Sequence, residues 1–136
     1  MLPRLIALSL LLTPSLTLAA DDLSSIFDGG LLKGKKLKKA IAAADTHPLG
    51  SQHNPVRVNM PHGQRAYLSR LRCGDSKAPS FERGGSTGPG PFGAIVDVYD
   101  VDCGNASPGK VAVYLDMYHH SHVEQRAVPG FTIVEP

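Results

Sequence analysis

The densest set of side chains able to do chemistry lies near the C-terminus: Asp116-Met117-Tyr118-His119-His120-Ser121-His122, with Glu124 beyond. If a strand ran through this stretch, Tyr114, Asp116, Tyr118, His120 and His122 would point to one side, with alternate residues about 6.6 Å apart. Two imidazoles at that spacing can converge on one metal ion, each with a metal–nitrogen distance of about 2.0–2.1 Å. His120 and His122 are then the expected ligands, with Asp116, Glu124 or a further His as the third. Zinc or copper suits such ligation, and Met117 or Met60 would tilt the choice to copper. The same stretch offers acid–base chemistry. Asp116 with His120, and Tyr114 or Tyr118 orienting a substrate, is a minimal set for a small hydrolase. It also offers a contact surface, because Tyr114, Tyr118 and His119 combine an aromatic body with a polar tip. A His-x-His pair also decorates many solvated strand ends, so the motif alone names no reaction.

Other segments narrow the chemistry by what they lack. Ser86 sits in Gly84-Gly85-Ser86-Thr87-Gly88, which is not the strand-to-helix elbow that activates a hydrolase serine. The run GGSTGPGPFG is rich in Gly, but no Lys follows it as a phosphate-binding loop requires. The two cysteines, Cys73 and Cys103, are predicted to form a disulfide, which removes them from catalysis. No set of residues is nominated as catalytic on these grounds.

The elements that would position these groups follow from patterning. Residues 31–45 read as a helix: Leu37, Ala40, Ile41 and Ala44 share one face, and Lys35, Lys36, Lys38 and Lys39 cover the other. Docking of the apolar face on the domain is expected. Membrane contact through the Lys33–Lys39 helix is the less favoured alternative, because the stripe is narrow and mostly Ala. Residues 46–55 read as a linker, Val56–Val58 as a short strand and Pro61-His62-Gly63 as a turn. Residues 64–73 read as a short helix running into a strand. Residues 74–93, with six Gly and three Pro, are expected to form a long loop. Residues 94–103 and 110–118, rich in Val, Ile and Tyr, predict a β-hairpin, with a bulge near 98–100 to reconcile two apolar faces in its first strand. Pro129-Gly130 predicts a turn before a last strand at Phe131–Val134. Arg65, Arg70, Arg72 and Arg83 are expected to pair with the acidic hairpin.

These readings give an α+β fold: a basic helix, then a mostly antiparallel sheet with a hairpin at about 94–118, stapled by one disulfide. Residues 1–19 carry a signal-peptide pattern: Arg4, an apolar run from Leu5 to Leu12, and small residues at Thr17 and Ala19. Residues 20–55 are read as leader, Lys-rich helix and linker, and residues 56–136 as the disulfide-containing domain. Cleavage after Ala19 removes one basic residue, leaving 13 Lys and Arg against 12 acidic residues, so the net charge falls from +2 to +1. That balance does not suit a nucleic-acid partner. The expected protein is a periplasmic or secreted binding module of the cell envelope, contacting an envelope protein or a surface polymer. Its candidate contact surfaces are the 74–93 loop and the face bearing Tyr114, Tyr118, His120 and His122. A zinc or copper protein and a small hydrolase are the alternatives.

Overall fold

A computed structural model describes residues 30–136; the signal sequence expected at 1–19 and residues 20–29 lie outside the described residues. The first element, α1 (Gly34–Ala44), has the amphipathic form its sequence predicts: Ala44 is buried, Leu37, Ala40 and Ile41 are half-buried, and the lysines of the other face are exposed. The apolar stripe is therefore the inward face. Residues 31–33 are extended instead of helical, and the Leu32 N–H donates to the Phe92 carbonyl at 3.1 Å. This close approach depends on Gly93, whose φ of +82° and missing Cβ let the Gly30 carbonyl pass where a side chain would collide.

The expected linker at 46–55 is a compact turn packed on the sheet. Gly50 N–H donates to the Asn54 carbonyl at 2.8 Å, the Asn54 amide to the His47 carbonyl at 3.0 Å, and Tyr114 N–H to the Gly50 carbonyl at 2.8 Å. Strand β1 (Val56–Arg57) follows. Helix α2 (Met60–Arg70) begins where a turn was expected, because Pro61 sits in the first turn, where its missing N–H costs no intrahelical bond. Gln64, Tyr67 and Leu68 are buried, and the same row continues to Leu71 in β2 (Leu71–Arg72).

Residues 80–89 correct the expectation of a loop: they form β3 (Ser80–Pro89), the edge strand of the sheet, with register shifts between Arg83 and Gly85 and between Ser86 and Pro89. Strands β4 (Ile95–Asp102) and β5 (Lys110–Asp116) form the predicted hairpin. The sheet order is β1-β5-β4-β3, with β1 parallel to β5 and the other pairs antiparallel; β2 pairs separately with β6 (Thr132–Ile133). The bulge expected near 98–100 is absent from β4, whose pairing with β5 runs unbroken from Asp97 to Asp102. Both faces of β4 are apolar because β4 is a central strand. Tyr99 and Val101 pack with Tyr67 and Leu68 of α2, and Val96 is buried on the opposite face. Cys73 and Cys103 are bonded, joining the segment after β2 to the end of β4.

A polar network seats α2 on the sheet. The buried Asp97 carboxylate accepts from Gln64 Nε2 at 3.0 Å, Arg83 Nε at 3.1 Å and Nη2 at 2.8 Å, and Ser86 Oγ at 3.0 Å; Tyr99 Oη donates to Gln64 Oε1 at 3.1 Å. Burial would raise the Asp97 pKa, but the bonds from Arg83, Gln64 and Ser86 outweigh it and hold the group below the ordinary carboxylate value. Of the four arginines expected to pair with the acidic hairpin, Arg83 alone does so among the described residues. Arg70 instead donates to the carbonyls of Val134 and Glu124 and to Gln125 Oε1, and Arg72 to the carbonyls of Ser69 and Leu71. Arg65 is exposed. Backbone carbonyls at the ends of α2 and of the chain lie closer to the Arg70 and Arg72 guanidinium groups than any carboxylate among the described residues does.

Two outcomes are expected. Replacing both cysteines by Ser, or reducing the disulfide, should lower the unfolding free energy by about 3–4 kcal/mol for a closed loop of roughly 30 residues, measured by urea titration. Asp97→Ala should cost about 2 kcal/mol at pH 7, the modest end for a buried ion pair because Arg83 is half-exposed. Since the native pKa of Asp97 is depressed, its contribution is complete above the unfolded carboxylate pKa of about 4 and is lost as pH falls through the lower native value. The difference between wild type and Asp97→Ala should therefore shrink in strong acid.

Candidate anion-binding cleft

Beyond Asp116 the chain leaves regular pairing with β4 and turns towards the segment between β1 and α2. Val58 N–H donates to the Asp116 carbonyl at 2.9 Å, Met60 N–H to the Met117 carbonyl at 2.7 Å, and His119 N–H to the Val58 carbonyl at 3.1 Å. The strand does not run on to residue 122, so the predicted two-residue alternation stops. A turn closes residues 119–122, with His122 N–H donating to the His119 carbonyl at 3.2 Å. Ser121 holds a left-handed φ of +59° in that turn, and Met60 holds +61° opposite it. Backbone strain of this kind in non-glycine residues concentrates at functional sites.

These segments enclose a cavity of about 480 Å³. Leu31, Leu32, Leu37 and Met60 form its apolar wall, with Phe92, itself 2% exposed. Lys33, Arg57, Tyr118, His119, His120 and His122 form the polar wall. The Arg57 guanidinium lies 6.0 Å from the Phe92 ring centroid, and the His119 ring stands edge-on to Phe92 with centroids 5.3 Å apart. No carboxylate among the described residues lies on the wall. Two lie behind it. Asp116 is fully buried: Oδ1 accepts the Tyr118 N–H at 3.0 Å, and Oδ2 is 3.2 Å from His119 Nε2. Neither Oδ2 nor Nε2 makes an aligned hydrogen bond among the described residues. Glu124 is 5% exposed, and its Oε2 is 3.6 Å from His122 Nε2. Its Oε1 accepts from the backbone N–H groups of Gln125 and Arg126 and from Arg126 Nε, at 3.0–3.1 Å. Burial would raise the Glu124 pKa, but His122, the Arg126 guanidinium and the Arg126 N–H together hold it far below the usual carboxylate range.

The structure thus redistributes the residues singled out from the sequence. Tyr118, His119, His120 and His122 share the cavity wall, and Tyr114 does not reach it. Asp116 faces inward, because the side of the sheet it points to is covered there by His119 and Phe92. Its imidazole partner is His119, and His120 is exposed. Among the described residues, no three His, Cys, Asp or Glu side chains are grouped as a metal ion would require. Arg57 and Phe92 carried no chemical signal in the sequence, lying in a short strand and in a Gly/Pro-rich run, and only the fold brings them to the histidines. A second depression, of about 490 Å³, crosses β3–β5 and carries Glu82, Asp100 and Asp102 beside Lys110.

Ser121→Gly should relieve the left-handed strain and raise stability by about 1 kcal/mol in thermal or urea unfolding. No protein-family model, curated protein or solved structure matches this chain.

Proposed function

We propose that this chain is an exported binding module of the cell envelope, periplasmic or secreted, that holds an anionic partner in the cleft between α1, the start of α2 and the 118–122 turn. The observation that carries this reading is the composition of the wall: Arg57 and three imidazoles beside Phe92 and Tyr118, with the two nearby carboxylates among the described residues behind the surface. The charge of Arg57 favours an anion over a metal cation. The apolar side of the cavity suits a partner that carries anionic groups on an apolar or ring-shaped frame, such as a surface polymer or an acidic segment of an envelope protein. Export is supported by the residue 1–19 pattern and by the disulfide.

Titration calorimetry of the mature protein with inorganic polyphosphate and with polygalacturonate tests the proposal. Binding should weaken steeply between low and physiological salt. Arg57→Ala should weaken it at least tenfold, and Lys38→Ala, on the exposed face of α1, should change it little. Equal binding of neutral dextran, or an unchanged affinity in Arg57→Ala, would remove the cleft from consideration.

A further inference from the structure

Binding an anion does not by itself require the two carboxylates behind the wall. A buried carboxylate next to an imidazole cancels positive charge that would otherwise attract the ligand, and its burial carries a desolvation cost. This arrangement occurs twice on one cavity: Asp116 behind His119 at 3.2 Å, and Glu124 behind His122 at 3.6 Å. Both carboxylates are fixed by backbone N–H groups, Asp116 by Tyr118 and Glu124 by Gln125 and Arg126. Each carboxylate lies nearest Nε2 of its imidazole without an aligned hydrogen bond, so a contact that tightens on substrate binding would place a proton on Nε2 and leave Nδ1 as the second nitrogen for proton transfer. The two imidazoles are the first and last residues of one turn, closed by the His122 N–H to His119 carbonyl bond around the left-handed Ser121. Two imidazoles with carboxylates behind them, beside Arg57, are the residue types that proton transfer on an anionic ester needs.

We propose that the cleft hydrolyses phosphodiesters, with His119 and His122 as the proton-transferring residues and Asp116 and Glu124 as the carboxylates that position them; this rests on the anion-binding reading above. His119, the more enclosed of the two, takes a proton from water as the water oxygen attacks phosphorus. His122, a third exposed at the rim, enters the step as the imidazolium and gives its Nδ1 proton to the leaving alkoxide oxygen as the P–O bond breaks. Arg57 balances the charge on the phosphoryl oxygens. One water and one diester give a phosphomonoester and an alcohol, and the two imidazoles regain their starting protonation by exchange with solvent. Long or misaligned contacts between such groups are usual without substrate and shorten when it binds.

The mature, oxidised protein is assayed for p-nitrophenol release from bis(p-nitrophenyl) phosphate and for cleavage of a glycerol phosphodiester and an RNA dinucleotide. Binding of inorganic polyphosphate is followed in parallel. Turnover with a bell-shaped pH–rate profile is expected, unchanged by EDTA. His119→Gln and His122→Gln should each lower kcat at least a hundredfold, each removing one limb of the profile. Asp116→Asn keeps the acceptor for the Tyr118 N–H. It should lower kcat at least tenfold with KM nearly unchanged and an unaltered unfolding curve, a split that a purely structural role would not produce. The glycerol and RNA arms show which kind of diester is preferred. Polyphosphate binding with no turnover of any diester would overturn the catalytic proposal and leave the binding reading standing; absence of both would overturn both. Turnover that survives His119→Gln and His122→Gln together, or that EDTA abolishes, would also overturn it.

Discussion

The seating of α2 on the β4–β5 hairpin is the contact on which the rest of the molecule depends. Tyr67 and Leu68 bury themselves against Tyr99, Val101 and Leu115, and the Gln64–Asp97 bond fixes the helix along and about its axis. An apolar contact alone would leave some freedom to slide. The buried Gln64 amide does not, because a shift would break its bonds to both Asp97 and Tyr99 and leave buried polar groups unpaired at a cost of about 1–3 kcal/mol. Each end of α2 then places something else. Its first residue, Met60, forms part of the cleft wall, and β2 at its far end pairs with β6. In between, Tyr67 Oη bonds the Arg126 carbonyl and the Val128 N–H, which ties down the segment carrying Glu124. The cleft and the C-terminal segment are therefore positioned by one helix.

The disulfide and the short strands belong to the same small-domain problem. A chain of this size with four Phe, four Tyr and no Trp has a limited apolar core. Among the described residues its main core is a cluster that runs from Val56 to Phe131, with Cys73 inside it, while Phe92, Ala94 and Val96 are buried apart from it. The two-residue pairs β1–β5 and β2–β6 add little hydrogen bonding of their own. They persist because the covalent link and the α2 contacts hold their partners in place.

Features set by local pattern were legible in the sequence: α1 from its Lys and Ala faces, the hairpin from Val, Ile and Tyr around a Gly/Pro turn, and the disulfide from an isolated cysteine pair. Features set by neighbours distant in the chain were not. Strand β3 has almost no strand propensity in Gly84, Gly85, Gly88 and Pro89, and it is extended because β4 offers it a continuous edge. Asp116 obeys the alternation that marks it as outward, yet it is buried, because Phe92 and His119 cover that face. The histidine stretch was visible as a candidate site. Which imidazole meets which carboxylate depends on the turn at Ser121, where the strand was expected to continue. Pro61 read as a chain breaker, although at a helix start it is compatible with the helix.

The irregularity of β3 has a consequence for how this chain behaves among its own copies. An open sheet can grow by adding a strand to a long, flat margin, a route to aggregates. Here one margin is only two residues long and runs parallel to its neighbour. The other is broken twice in register, carries Glu82 and Arg83, and ends in a proline with no N–H to offer. Neither margin presents an uninterrupted ladder of donors and acceptors to a second molecule. The glycines and prolines that disguised this strand in the sequence thus also keep it from templating self-assembly.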